Sequence, residues 1–162
     1  RRDHRRMRFA VCRLSGRTGH AAGRELLAEL YREETGEALP PIRISKTGCP
    51  YFPGSPYCFS IAHTARHAAC VLAKRPVGLD AEELDRRVSP KLARRVLSET
   101  EYAQYLLAGD KTKALLTFWV LKEAQVKLTG QGLRGFPNDT HFSLEDPRVW
   151  EWDGCLLGMI VE

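Results

Sequence analysis

Two carboxylates stand two residues apart in the segment Val77-Gly78-Leu79-Asp80-Ala81-Glu82. Read as a strand, it turns Val77, Leu79 and Ala81 to one face and Gly78, Asp80 and Glu82 to the other. The two acids then project in parallel, and Gly78 leaves room beside them for a ligand. Such a pair of hard oxygen donors suits Mg²⁺, which keeps several waters and takes one or two carboxylates plus substrate phosphates. It also fits a strand face turned to solvent. Further on, Leu116, Val120, Glu123 and Lys127 recur at spacings of four, three and four, which makes one stripe of a helix. The charged pair continues an apolar stripe beside Trp119, Leu121 and Val126, so it points to the interior or a cleft. The plainer reading is an i,i+4 salt bridge worth a few tenths of a kcal/mol. In Phe59-Ser60-Ile61-Ala62-His63-Thr64, His63 shares parity with Tyr57, Phe59 and Ile61, placing an imidazole at the end of an apolar strand face. It reads as a hydrogen-bonded structural residue or a ligand contact.

These groups must be carried by elements, and the pattern supplies them. Gly19 to Glu34 is helical, with Ala22, Leu26, Leu27, Leu30 and Tyr31 on one stripe and Gly36 as the stop. Pro40-Pro41 breaks the chain, Ile42 to Ile44 alternates as a short strand, and Thr47 to Pro56 is a Gly- and Pro-rich loop. Tyr57 to Ala62 and His67 to Ala73 read as a hairpin, followed by a strand from Val77 to Glu82. Ser89 to Leu107 and Lys111 to Thr129 read as two helices, the second ended by Gly130. Short strands are expected over Thr140 to Leu144, Val149 to Trp152 and Cys155 to Val161, with Asp153-Gly154 as a hairpin turn. Each half runs from helix to strands, so the fold class is α+β, with a boundary near Lys74 to Val77.

The chain has 162 residues, 43% of them hydrophobic and 28% charged, the composition of one ordinary globular unit. No apolar run approaches the ~20 residues that span a bilayer, and no signal peptide opens the sequence. Twenty-five basic residues against 20 acidic ones give a net charge of +5, which suits an anionic partner without choosing one. The first eight residues carry five arginines, read as a solvated arm or a phosphate contact. Five cysteines without a C-x-x-C pair read as reduced, mostly buried thiols of a cytoplasmic protein and not as a zinc site. No phosphate loop, dinucleotide fingerprint, nucleophile elbow or H-E-x-x-H motif occurs.

Together these stretches resemble the 4′-phosphopantetheinyl transferases, in particular the two-lobed type that activates peptide and polyketide synthases. Val77 to Glu82 looks like the family's Gly-x-Asp-x-Glu metal segment. Phe118-Trp119-Val120-Leu121-Lys122-Glu123-Ala124-Gln125-Val126-Lys127 looks like its aromatic-Trp-x-x-Lys-Glu-x-x-x-Lys helix. Gly48-Cys49-Pro50 with Phe59 to Thr64 is similar to its Gly-Lys-Pro and Phe-x-Ile-Ser-His-Ser segments. The resemblance spans Gly48 to Leu133, with Arg24 to Tyr31 as a looser match to the first helix. Cys49 stands where the family has Lys, leaving Lys46 as the expected substitute, and Ala62 replaces a Ser. The chain is shorter than two-lobed members, which leads one to expect a first strand before Arg1.

The resemblance implies two pseudo-symmetric helix-plus-antiparallel-sheet halves, residues 1–76 and 77–162, packed around a central cleft as one compact unit. Coenzyme A, the substrate, lies in that cleft, with Mg²⁺ (or Mn²⁺) on Asp80, Glu82 and Glu123. The phosphopantetheine arm passes to a serine of an acyl or peptidyl carrier protein, and 3′,5′-ADP leaves. Lys127 neutralises the pyrophosphate, with Lys122 a weaker candidate, and Glu101 deprotonates the serine. His63 contacts a coenzyme A phosphate, and Arg17, His20 and Arg24 are candidates for the 3′-phosphate. The expected protein is a cytoplasmic monomer and a holo-[acyl-carrier-protein] synthase type of enzyme, without nucleic acid or membrane as partner. The rival readings are a non-catalytic carrier-protein-binding domain and a nucleic-acid-binding domain.

Overall fold

The computed structural model describes residues 7–130 and 140–162. Its elements run β1 (Arg8–Arg13), α1 (Gly19–Thr35), β2 (Arg43–Ile44), β3 (Pro50–Tyr51), β4 (Cys58–His63), β5 (His67–Ala73) and β6 (Val77–Glu83). They continue with α2 (Pro90–Val96), α3 (Glu99–Leu107), α4 (Lys111–Thr129), β7 (Val149–Trp152) and β8 (Cys155–Val161). The class is α+β. One antiparallel sheet has the order β1-β5-β4 and another the order β6-β8-β7. Each is built from strand, helix, strand, strand, and in each the last-made strand is central, so the two halves are pseudo-symmetric.

The core explains the layering. On one face of the first sheet, Phe59, Cys70 and Leu72 meet Leu26, Leu27 and Leu30 of α1. Its other face offers Ala69, Val71 and Ala73 to Val77, Leu79 and Leu157 of the second sheet. Beyond that sheet α4 covers Leu156 and Ile160. With both faces of the first sheet covered, all seven residues of β5 are buried.

Helix ends follow local chemistry. Thr18 caps α1 by accepting from the Ala21 amide, and Gly36 ends it in the left-handed region at φ 75°. Asp110 and Gly130 do the same for α4. The stretch read as one helix from Ser89 to Leu107 is two. Leu97 is extended (φ −94°, ψ 142°), and Ser98 and Glu101 close a capping box that starts a new helix. No strand forms over 140–144, and β1, which the sequence reading did not assign, pairs with β5 along its whole length. Among the described residues, no helix is long and apolar enough to cross a membrane.

Candidate active site

β6 turns Val77, Leu79 and Ala81 into the inter-sheet core, so Gly78, Asp80 and Glu82 face α4. The space at Gly78 is filled by that helix, not by a ligand as the sequence suggested. A Cβ built there would lie 1.8 Å from the Ala124 carbonyl oxygen and 2.8 Å from the Leu128 nitrogen. This close approach sets the stripe of α4 against the acids of β6. Leu116 and Val120 are buried, while Glu123 and Lys127 emerge half-buried.

Lys127 is the junction of the site. Its ammonium donates to the carbonyls of Leu79 (2.8 Å) on β6 and Ile61 (3.2 Å) on β4, and to Asp80 Oδ1 (3.4 Å). It thus ties the two sheets where their edge strands run side by side, a contact reinforced by the Leu79 amide donating to Ser60 Oγ at 3.0 Å. Asp80 Oδ2 is buried and accepts no hydrogen bond among the described residues. Burial pushes Asp80 up to about 7; Lys127 opposes this, and the negative charges of Glu123 and Glu82 add to it. Glu123 is likewise raised, by burial first and then Glu82, with Lys127 and Arg86 opposing. Asp80 and Glu123, raised by burial and then by neighbouring negative charge, would be relieved by a bound cation.

The donor set fits a magnesium ion: hard oxygens only, one of them an orphaned buried atom, with a fixed ammonium beside them. The three acids do not converge as tightly as three ligands of one ion. Among the described residues only His67, Glu83 and Cys155 bring three donor atoms within 4.8 Å. Glu82 is turned aside by Arg86, whose guanidinium donates to Oε1 at 2.6 Å.

Beside Lys127 a cavity of about 450 Å³ opens between the β2–β3 hairpin and the end of α4. Cys49, Tyr51, Phe52, Tyr57, Lys127 and Thr129 are among its lining. Ser45 and Thr47 border it too, while Lys46 between them is exposed and not part of the lining.

His63 is exposed at the end of β4 and lies against the first turn of α1, where a Cβ on Gly19 would meet its Nδ1 at 2.3 Å. His20 and Arg24 stand one turn apart on that helix. Arg17 is committed to the loop before it, donating to the carbonyls of Leu14 and Arg13 at 2.8 Å each and pairing with Glu25. The fold therefore brings His63, His20 and Arg24 to one end of α1.

Glu101 is not in the cleft. Its side chain and that of Lys122 are fully buried and meet at 2.8 Å. Its carboxylate also accepts from the amides of Ser98 (2.8 Å) and Phe142 (3.0 Å) and from Thr140 Oγ1 (2.9 Å). A carboxylate with its lone pairs so engaged joins α3, α4 and the segment at 140–142. Lys122 lies on the opposite side of α4 from Lys127.

The family model described as "4'-phosphopantetheinyl transferase superfamily" matches residues 76–153, from β6 to the β7–β8 turn. Over that stretch the chain is similar to the 4′-phosphopantetheinyl transferase superfamily. A 4'-phosphopantetheinyl transferase of Bacillus subtilis is 30% identical over 115 residues, covering 64% of this chain and 51% of the relative. A holo-[acyl-carrier-protein] synthase of Erwinia tasmaniensis is 38% identical over 65 residues, covering 36% of this chain and 52% of the relative. The chain spans about half the length of these curated relatives.

Proposed function

We propose that this phosphopantetheinyl transferase homologue moves the 4′-phosphopantetheine arm of coenzyme A to a serine hydroxyl of an acyl or peptidyl carrier protein, with release of 3′,5′-ADP. The observation that carries the reading is Asp80, with one buried oxygen unpartnered among the described residues and the other facing Lys127, inside the stretch that matches the family. Asp80, Glu82 and Glu123 would hold Mg²⁺ or Mn²⁺, and the ion would supply charge neutralisation at the pyrophosphate.

The chain's own residues do the rest by positioning and charge. Lys127, fixed by two backbone carbonyls, holds a positive charge at the mouth of the cavity beside the acids. Tyr51, Phe52 and Tyr57 give that cavity apolar walls suited to a nucleotide or pantetheine moiety. His63, His20 and Arg24 offer hydrogen-bond donors at the start of α1 for a phosphate, aided by the helix dipole. The serine oxygen bonds to the β-phosphorus and gives up its proton to water, while the bond to the bridging oxygen of the pyrophosphate breaks and 3′,5′-ADP leaves. Residues 1–76 and 77–162 act as the two halves of a monomer with the cleft between them. Arg87, Lys91, Arg94 and Arg95, all exposed, give the stretch after β6 a basic surface for an acidic carrier domain. The setting is cytoplasmic, in fatty-acid or secondary-metabolite synthesis.

The test is the intact mass of an apo carrier protein incubated with this chain, coenzyme A and Mg²⁺. A gain of one phosphopantetheine group, absent with Asp80→Ala, is expected. No gain across fatty-acid, polyketide and peptide carriers, from a folded chain that also fails to bind coenzyme A, would overturn the reading.

A further inference from the structure

A second group of charges lies at another junction of the halves. His67 opens β5 and is 2% exposed, yet both of its ring nitrogens face carboxylate oxygens. Nδ1 is 2.7 Å from Glu83 Oε2, at the end of β6, and Nε2 is 2.9 Å from Asp153 Oδ2, in the β7–β8 turn. The acids are themselves held. Asp153 accepts from Arg13 through Nε (2.6 Å) and a second guanidinium nitrogen (2.7 Å). Thr64 donates to Glu83 Oε2. Arg66 stands 2.8 Å from Glu83 Oε1, without hydrogen-bond alignment, and 2.9 Å from Asp85. The edge of Trp152 packs on the imidazole at 5.6 Å, and Cys155 faces Glu83 across the β6–β8 ladder.

Every link in this chain joins the first sheet to the second: Arg13, Arg66 and His67 on one side, Glu83, Asp85 and Asp153 on the other. Two local features mark it as built. Glu83 has the parity of Val77, Leu79 and Ala81, so it is an acid on the core face of β6. Asp153 holds φ 53°, a left-handed backbone that the Asp-Gly turn requires, and this aims its carboxylate at His67.

An ionised carboxylate only accepts hydrogen bonds, so a ring with a carboxylate at each nitrogen needs a proton on both. We propose that His67, as an imidazolium held between Glu83 and Asp153, is a proton-dependent clasp that locks the two halves of the fold together. Burial alone would disfavour the charged ring, but the bonds to Glu83 and Asp153 outweigh it and leave His67 raised above its usual value. The clasp's contribution is therefore fully present below the unfolded value near 6.5 and is lost as pH rises through the native titration. Above that point the neutral ring can donate to only one of the two acids, the buried Glu83 or Asp153 in the turn.

His67, Glu83 and Cys155 bring donor atoms within 4.8 Å, but the group is not arranged as a metal cage. Both imidazole nitrogens are engaged, and burial, with Glu83, Glu82 and Asp80 adding, pushes the Cys155 thiol up to about 12.

The test follows the His67 ring resonances by NMR in the full chain, together with thermal midpoints, from about pH 5 to about pH 10. His67 should keep its second proton above the ordinary histidine range. The wild-type midpoint should fall through that same titration, and His67→Gln should lack this alkaline fall. Asp153→Asn, at a turn position that tolerates Asn, should weaken proton binding at His67 about tenfold or more. A wild-type His67 that titrates at or below the ordinary value overturns the proposal, as does an alkaline fall unchanged in His67→Gln. A rise of the wild-type midpoint with Zn²⁺ that Cys155→Ser abolishes would also overturn it, in favour of a metal site.

Discussion

Glu101 and Lys122 face each other at 2.8 Å with no exposed surface on either side chain. The pair joins the first turn of α3 to the middle of α4, one residue before Glu123. Its work is to fix the helix whose other side carries Glu123 and Lys127.

Glu101→Gln should therefore cost about 3–5 kcal/mol of stability by stranding Lys122, measured by urea unfolding. Replacing both partners by Leu and Met should recover much of that loss. Burial alone would raise Glu101, but Lys122 and the Ser98 and Phe142 amides outweigh it and leave it lowered. Its contribution is present above the ordinary carboxylate range and lost as pH falls through its native value, so Glu101→Gln should flatten the acid limb of the stability profile. Transfer activity surviving in the folded double variant would fit a positioning role; complete loss there would restore Glu101 as a base.

Gly78→Ala tests the approach of β6 to α4. The added methyl would stand 1.8 Å from the Ala124 carbonyl oxygen, so the helix must move. We expect a loss of about 2–4 kcal/mol, larger than an ordinary overpacked site because the obstacle is backbone, with transfer activity falling alongside. A neutral result in thermal unfolding would mean that the helix is not anchored there.

Asp80→Asn should separate the cost of a buried acid from its use. Without metal at about pH 8 the variant should be more stable than the wild type by about 1–4 kcal/mol, because a carboxyl raised to about 7 opposes folding when ionised. The effect should vanish below the unfolded carboxylate range, where both states are protonated. Millimolar Mg²⁺ should raise the wild-type midpoint and leave the variant's unchanged.

Thiol labelling checks the burial pattern. Cys12, Cys49 and Cys58 are half-buried, and Cys70 and Cys155 are buried. Iodoacetamide on the native chain near pH 8 should modify Cys49 well before Cys70 or Cys155, whose thiols burial holds neutral. Mass mapping after a short exposure reads this directly.

The acids of β6 and the stripe of α4 were legible in the sequence because each obeys one local period. Helix bounds were equally plain for α1 and α4, whose glycine stops sit in left-handed backbone. What was lost depended on contacts between elements. Nothing in the pattern around Glu101 marks it as buried, and only the approach of α4 buries it. Gly78 looked like room for a ligand, and a helix fills it. The parity that placed Asp80 outward also placed Glu83 inward, so the buried acid was readable one residue past the motif, but not its histidine or the turn aspartate. Residues 1–6, which hold most of the arginine-rich arm, lie outside the described residues.

The order β6-β8-β7 carries a consequence for how the molecule is made. β6 is synthesised well before the strand it pairs with, and every ladder partner of Asp80 and Glu82 lies in residues 155–161. On the ribosome, the acidic strand therefore waits through the whole of α2, α3, α4 and β7 before its sheet can close. Nonsense or frameshift lesions upstream of Cys155 should yield chains in which the first half is assembled while the carboxylates have no scaffold.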